Sequence, residues 1–316
     1  MNSHMNTRIV FMGSPDFALP SLRLLAAQYP VAGVVTQPDQ PAGRGRVLTP
    51  PAVKLLAEEL SLPVIQPLRL REPEAMAQLQ AWQPDLIVVA AFGQILRTAV
   101  LDLPRHGCLN VHASLLPHWR GAAPIQAAIL HGDLETGVTI MRMDPGVDTG
   151  LVLSQRAMPI SPGDTASTLS ARLAELGAQL LIDTLPGYLN GVIQPKPQEG
   201  AEPTYAPRLK KEDGLLDFTQ PVEALARRVR AFNPWPGTFT LWEGQILKVH
   251  RAHSVDLSGF QNLTGLTHGA RLVHLGQPGI TAAGGLLVLD EVQPAGKRIM
   301  PGKVFLQGAK HWTSQS

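Results

Sequence analysis

The sequence predicts an α/β fold, in which a Rossmann-like open sheet of mostly parallel strands is followed by a small OB-like β-barrel. Residues 8–13 form an apolar run that ends in glycine and precedes a helical pattern over residues 17–27, as in the first strand, turn and helix of a βαβ unit. The fully apolar run over residues 86–91 is typical of a central parallel strand that is covered on both faces. Beyond residue 238, short alternating segments with glycine-containing turns predict about five strands of a small barrel.

Between these landmarks, strand and helix patterns continue to alternate along the chain. The strand patterns lie over residues 31–36, 63–65, 108–111, 137–143 and 151–159, and we expect the last two to pair as an antiparallel hairpin. The helical patterns lie over residues 53–60, 72–82, 123–131, 165–189 and 222–232, and Asp164 or Thr165 is expected to cap the fourth of these helices.

The length of 316 residues predicts about two domains, each able to bury its own core. Residues 194–207, QPKPQEGAEPTYAP, contain four prolines and little apolar material, which is typical of an extended linker. We therefore expect a catalytic domain over residues 5–193, a proline-rich linker over 194–212 and a C-terminal OB-like domain over 213–316. Residues 1–4 resemble a cloning remnant, so Met5 is the expected native start.

Three features of the sequence argue against other classes of protein. The first turn, GSPDFA, lacks the second and third glycines that let a pyrophosphate approach, so a nicotinamide dinucleotide is not expected. Cys108, the single cysteine, precludes an internal disulfide or a cysteine-based zinc site and fits a reducing cytosol. No apolar run approaches the roughly 18 residues of a membrane span.

Charge is distributed unevenly along the chain. Residues 208–316 carry 13 Lys and Arg against 8 Asp and Glu, whereas residues 1–207 carry 14 against 17. The C-terminal third is therefore the expected surface for a polyanionic partner.

Three polar side chains are candidates for chemistry on a carbonyl group. Asn110 and His112 stand two residues apart at the end of a predicted strand, so both side chains should point to the same face. A carboxamide can donate a hydrogen bond to a developing oxyanion, and an imidazole can carry a proton near neutral pH. Asp148 follows in a glycine-containing turn and could approach the imidazole. The alternative is a structural hydrogen-bonded pair at a strand edge.

Residues 37–51, QPDQPAGRGRVLTPP, predict a mobile surface loop, because four prolines and two glycines leave the segment without a hydrophobic face. Arg44 and Arg46 have no acidic residue close in sequence and could contact phosphates. The alternative is a solvated connector.

Two long blocks, NVHASLLPHWRGAAPIQAAI and GVTIMRMDPGVDTG, closely resemble the formyltransferases that use 10-formyltetrahydrofolate, and the resemblance extends from about residue 8 to the C-terminus. It implies a formyltransferase fold and a catalytic trio of Asn110, His112 and Asp148. It also implies that residues 37–51 contact the acceptor end of a tRNA, and that four residues line the folate site: Ser114, Leu115, Leu116 and Pro117.

The reaction implied by this resemblance is transfer of the formyl group of 10-formyltetrahydrofolate to the α-amino group of methionyl initiator tRNA. Asn110 and a protonated His112 would stabilise the oxyanion, and Asp148 would keep the imidazole charged. We expect no metal, no membrane association, and a monomer in the cytoplasm. The alternatives are a sugar-nucleotide or glycinamide-ribotide formyltransferase of the same superfamily, or a noncatalytic tRNA-binding protein.

Overall fold

The structure, a computed structural model, describes residues 6–42, 47–200, 202–256 and 267–313. The chain divides into two units. The first contains Met1–Pro124, Glu135–Pro159 and Ser170–Pro207, and the second contains Ile125–Leu134, Ile160–Leu169 and Arg208–Ser316.

The strands of the first unit are β1 (Ile9–Gly13), β2 (Val31–Val35), β3 (Gln40–Ala42), β4 (Val47–Thr49), β5 (Val64–Ile65), β6 (Leu86–Ala90), β7 (Cys108–His112), β8 (Arg120–Gly121), β9 (Glu135–Arg142), β10 (Leu151–Pro159) and β11 (Tyr205–Ala206). The helices in this part of the chain are α1 (Leu19–Gln28), α2 (Ala52–Glu59), α3 (Pro73–Trp82), α4 (Thr98–Leu101), α5 (Pro124–His131) and α6 (Ala166–Leu189). Where the sequence predicts a strand or helix of this part, the structure confirms it with bounds that shift by up to two residues.

Seven of these strands form one sheet in the order β10-β9-β7-β6-β1-β2-β5. The pairs β7–β6, β6–β1, β1–β2 and β2–β5 are parallel. Every residue of β1 and β6 is buried, as expected for central parallel strands covered on both faces. The predicted parallel-rich α/β sheet is therefore confirmed.

The other edge of this sheet is antiparallel and positions the candidate site. β9 pairs antiparallel with β7, so that His112 stands opposite Thr139, and β10 pairs antiparallel with β9. The turn between β9 and β10 contains Asp148. The predicted hairpin is confirmed, and its turn returns Asp148 to the end of β7.

Residues 37–51, which the sequence predicts as a mobile surface loop, contain two short strands. β3 and β4 form an antiparallel ladder, in which Gln40 stands opposite Thr49 and Pro41 opposite Leu48. Each strand has only three residues, so no alternating pattern of apolar and polar residues could be recognised in a segment with four prolines. Arg44 and Arg46 lie outside the described residues.

The segment predicted as a linker makes specific contacts with the first unit. Lys196 forms an antiparallel bridge with Val152, and β11 pairs in parallel with β8. The domain bounds expected from the sequence stay predictions, but residues 194–200 and 202–207 belong to the first unit by contact.

The second unit contains α7 (Val222–Ala231), β12 (Thr238–Trp242), β13 (Gln245–Asp256), β14 (Arg271–His274), β15 (Gln277–Ala282), β16 (Gly285–Pro294), β17 (Met300–Pro301) and α8 (Gly302–Gly308). The strands pair in the order β12-β13-β16-β15-β14, with β17 added on β16, and every pair is antiparallel. Leu225 and Val229 of α7 pack with Leu247 and Leu287 in its core. The C-terminal domain, predicted as a small OB-like β-barrel, is confirmed as a domain of antiparallel strands. Among the described helices, none is long and apolar enough to span a membrane.

The turn that carries Asp148 depends on Gly150 because the backbone there approaches β9 closely. A Cβ at residue 150 would collide with the carbonyl oxygen of Arg142 and lie 2.9 Å from the Met141 side chain. We expect Gly150→Ala to reduce stability by about 1–3 kcal/mol, the usual cost of overpacking. Gly163→Ala is the matched control, since a Cβ there meets nothing within 4 Å. Thermal unfolding of both variants checks this, and equal melting temperatures would contradict it.

Candidate active site

The candidate site lies where β7 ends. Asn110 and His112 project to the same face of β7, as their spacing of two residues requires. Asn110 stands opposite Val89 of β6 on one side and Met141 of β9 on the other, so both neighbouring strands fix its position. In open α/β sheets the ends of such strands are where ligands bind.

The carboxylate of Asp148 brings the three candidate residues together. The Asn110 side-chain amide donates to Oδ1 at 3.4 Å, and the His112 Nδ1 atom lies 3.6 Å from the same oxygen. The backbone N–H of Gly121 donates to Oδ2 at 2.8 Å. The Asp148 side chain is 16% exposed, so these contacts occur in a partly desolvated environment where charges interact more strongly than in water.

The hydrogen bonds of His112 indicate where its proton lies. The ring is 5% exposed, and Nε2 is 3.1 Å from the carbonyl oxygen of Trp119. A carbonyl oxygen can only accept, so Nε2 carries a hydrogen and the neutral ring presents a lone pair at Nδ1. That lone pair is on the side of Asp148.

Burial lowers the pKa of His112 below its ordinary value, although the Asp148 charge and the bond to Trp119 act in the opposite direction. The sequence does not show that the ring is desolvated, so this opposition between burial and the Asp148 charge could not be predicted from it. The charged imidazole that the resemblance implies stays a prediction.

The residues expected to line a folate site are mostly interior. Ser114, Leu116 and Pro117 are buried, and Leu115 is half-buried. The Ser114 hydroxyl donates to the His118 carbonyl oxygen, and the Leu116 N–H donates to Thr139 Oγ1 at 3.1 Å. These hydrogen bonds hold the backbone that follows His112.

Sequence reasoning missed the contacts of the Asp148 turn with Gly121 and Gln198. Gln198 donates to the Asp148 carbonyl oxygen at 2.8 Å. Gly121 stands in a stretch that reads as turn material, and Gln198 in a stretch that reads as a linker, so no local pattern identified either. Asp148 itself has a φ of 51°, a left-handed conformation that is uncommon for residues other than glycine but that aspartate adopts more readily than most.

A cavity of about 690 Å³ in the first unit lies beyond the end of β6. Three arginines line it, Arg69, Arg71 and Arg97, together with Ile95, which is 77% exposed. Its mixture of apolar surface and positive charge suits a ligand with an apolar body and an anionic end. Among the described residues, no group of three or more His, Cys, Asp or Glu could hold a metal ion.

Comparison with known proteins shows the family of this chain. Residues 7–185 match the family model described as formyl transferase, and residues 208–310 match the formyl transferase C-terminal domain. A sugar 3N-formyltransferase, WlaRD, crystallised in the presence of dTDP and 5-N-formyl-THF, has a similar fold, with a TM-score of 0.65 and 18% identity over 94% of this chain and 100% of that one. The fold and the family models thus define a formyltransferase.

Relatives of known name indicate which kind of formyltransferase this chain resembles. Methionyl-tRNA formyltransferase of Myxococcus xanthus is 49% identical, with 96% of this chain and 95% of the relative covered. That of Geobacillus thermodenitrificans is 48% identical, with 96% and 94% covered. The chain belongs to the methionyl-tRNA formyltransferase family.

The protonation of His112 can be measured directly. We expect its pKa to lie below the ordinary histidine value, with the neutral ring protonated at Nε2, and to fall further in Asp148→Asn, because that change removes a charge that raises it. Ring nitrogen and carbon chemical shifts recorded by NMR against pH check both statements, and His112→Gln identifies the signal. A pKa that is unchanged or raised in Asp148→Asn would show that the carboxylate does not act on the ring.

Proposed function

We propose that this chain transfers the formyl group of 10-formyltetrahydrofolate to the α-amino group of methionyl initiator tRNA, using Asn110, His112 and Asp148. The convergence of amide, imidazole and carboxylate at the end of β7 carries this assignment of residues. The relatives named methionyl-tRNA formyltransferase support the choice of acceptor.

The amine attacks the formyl carbon and produces a tetrahedral intermediate with a negatively charged oxygen. The Asn110 side chain has two N–H donors, of which one bonds Asp148 and leaves the other for that oxygen. A well-placed donor of this kind is worth about 3–4 kcal/mol of transition-state stabilisation.

The neutral imidazole of His112 suits it to accept the proton that the attacking amine loses. Nδ1 bears the lone pair and lies on the side of Asp148, so the carboxylate stabilises the imidazolium that forms. The imidazolium then returns the proton to N10 of the folate as the bond between the formyl carbon and N10 breaks. One proton moves from amine to leaving nitrogen, and no metal is needed.

We place the formyl donor beside residues 114–117. Leu115 is the half-buried member of that stretch, and the other three are buried. The cavity lined by Arg69, Arg71 and Arg97 could accommodate another part of the folate, since arginine pairs well with carboxylates. The crystallisation of WlaRD with a formyl folate supports a donor of this class.

The tRNA is assigned to the basic surfaces. Residues 208–316 carry 13 Lys and Arg against 8 Asp and Glu, and phosphate contacts supply affinity without chemistry. The catalytic domain is assigned to residues 5–193, the linker to 194–212 and the tRNA-binding domain to 213–316. We further infer a monomer in the cytoplasm, supported by the single buried cysteine as regards location and testable by light scattering.

The decisive experiment follows labelled formyl from 10-formyltetrahydrofolate to methionyl initiator tRNA. Glycinamide ribotide and an amino-sugar nucleotide serve as competing acceptors. Label on the tRNA alone supports the proposal. Label on either small acceptor favours the other formyltransferases of the superfamily, and tRNA binding without transfer favours a noncatalytic protein.

Replacement of Asn110 tests the oxyanion role. Asn110→Asp removes the amide donors and adds a negative charge where another develops, so we expect turnover to fall at least about a hundredfold. Asn190→Asp, at an exposed position after α6, adds the same charge as a control. Single-turnover formylation rates check this, and near-normal turnover in Asn110→Asp would remove Asn110 from the mechanism.

Replacement of the two arginines tests the tRNA contact at residues 37–51. Arg44→Ala with Arg46→Ala should weaken tRNA binding and flatten its dependence on salt, because each lost phosphate contact reduces counterion release. Arg23→Ala with Arg105→Ala removes two exposed arginines elsewhere in the first unit as a matched control. Binding isotherms at several salt concentrations measure the effect. Equal losses in both pairs would return residues 37–51 to the role of a solvated connector.

A further inference from the structure

Gln198 uses all the hydrogen-bonding capacity of its side-chain amide on the surroundings of Asp148. Its Nε2 donates to the carbonyl oxygens of Asp148 at 2.8 Å and Gly150 at 2.9 Å. Its Oε1 accepts from Arg120, from Nε at 3.0 Å and from Nη2 at 2.7 Å. An amide has two N–H donors and two lone pairs, so all four are used.

We propose that Gln198 is a positioning residue for the formyl transfer, which fixes the turn of Asp148 so that its carboxylate faces His112 and Asn110. This inference rests on the proposed function. Gln198 contacts the backbone of the turn and the Arg120 side chain, and its role is to hold the groups that act.

The turn is held at two points on one residue. Gln198 bonds the Asp148 carbonyl oxygen, while the Gly121 N–H bonds the Asp148 carboxylate at 2.8 Å. The backbone of Asp148 is in the left-handed region, with a φ of 51°, and both contacts stabilise this conformation.

Both points of attachment trace to the same part of the chain. Gly121 belongs to β8, which pairs with β11, so that Gly121 stands opposite Ala206. Arg120, its neighbour, donates its side chain to Gln198 and its backbone N–H to the Thr204 carbonyl oxygen at 2.9 Å. Residues 198 and 204–206 thus hold the Asp148 backbone directly and the Gly121 donor through β8.

Two substitutions separate this role from a general contribution to stability. Gln198→Met keeps the length of the side chain and removes its strong donors and acceptors. Gln198→Glu keeps an oxygen for Arg120 but presents a second oxygen to the carbonyl groups of Asp148 and Gly150, which it repels. Gln194→Met is the matched control on the same segment, because the Gln194 side chain donates to the Gly191 carbonyl oxygen, away from the Asp148 turn.

We expect Gln198→Met and Gln198→Glu to lower kcat by about tenfold to a hundredfold, the range for a catalytic group displaced by about 1 Å. The KM for methionyl-tRNA should stay close to that of the unsubstituted chain, since Gln198 is assigned no contact with the tRNA. Gln194→Met should retain both parameters. A rise in KM with kcat unchanged would overturn the proposal.

The pKa of His112, followed by NMR, supplies a readout that is independent of turnover. When the Asp148 carboxylate is held less firmly beside the ring, its charge raises the His112 pKa less. Gln198→Met should therefore lower this pKa, as Asp148→Asn is expected to. A stable Gln198→Met variant with an unchanged His112 pKa overturns the positioning role, whatever its turnover. Absence of formyl transfer in the unsubstituted chain would instead reject the proposed function, and the His112 pKa would still decide whether Gln198 positions Asp148.

Discussion

The carboxylate of Asp148 is the group on which the candidate site depends, because a partly buried charge must be paired. Its partners are the Asn110 amide, the His112 ring and the Gly121 N–H. These partners come from β7 and β8, whereas Asp148 comes from the turn after β9. The candidate site therefore exists only when the sheet edge β10-β9-β7 is assembled, because the antiparallel pairing at that edge brings Asp148 to Asn110 and His112.

Much of the fold could be predicted from the sequence because it follows from periodicity. The apolar runs that became β1 and β6 are fully buried in the structure, and the hairpin of β9 and β10 has the expected bounds within two residues. Asn110 and His112 could also be paired, because a spacing of two fixes their relative direction in any strand. Each of these predictions needs only residues that are close along the chain.

The rest required contacts between distant segments. Gln198 lies 50 residues from Asp148, in a segment whose prolines are typical of a connector, and a side-chain bond to a backbone carbonyl leaves no pattern in composition. The pKa of His112 is lowered by burial of the ring under distant parts of the chain, which the sequence does not encode locally. The family models also leave residues 186–207 between their two matches, so the segment that holds the turn belongs to neither model.

Cys108 has a practical consequence through its place in the sheet. It is the single cysteine of the chain, it is buried in β7, and burial raises the pKa of its thiol to about 12. The thiolate that reacts with maleimides is therefore scarce at neutral pH. A cysteine introduced at an exposed position would react first, so a fluorophore or spin label could be attached there without removing the natural one. With one such cysteine introduced in each unit, two labels would report the distance between the units in solution while Cys108 stays in place.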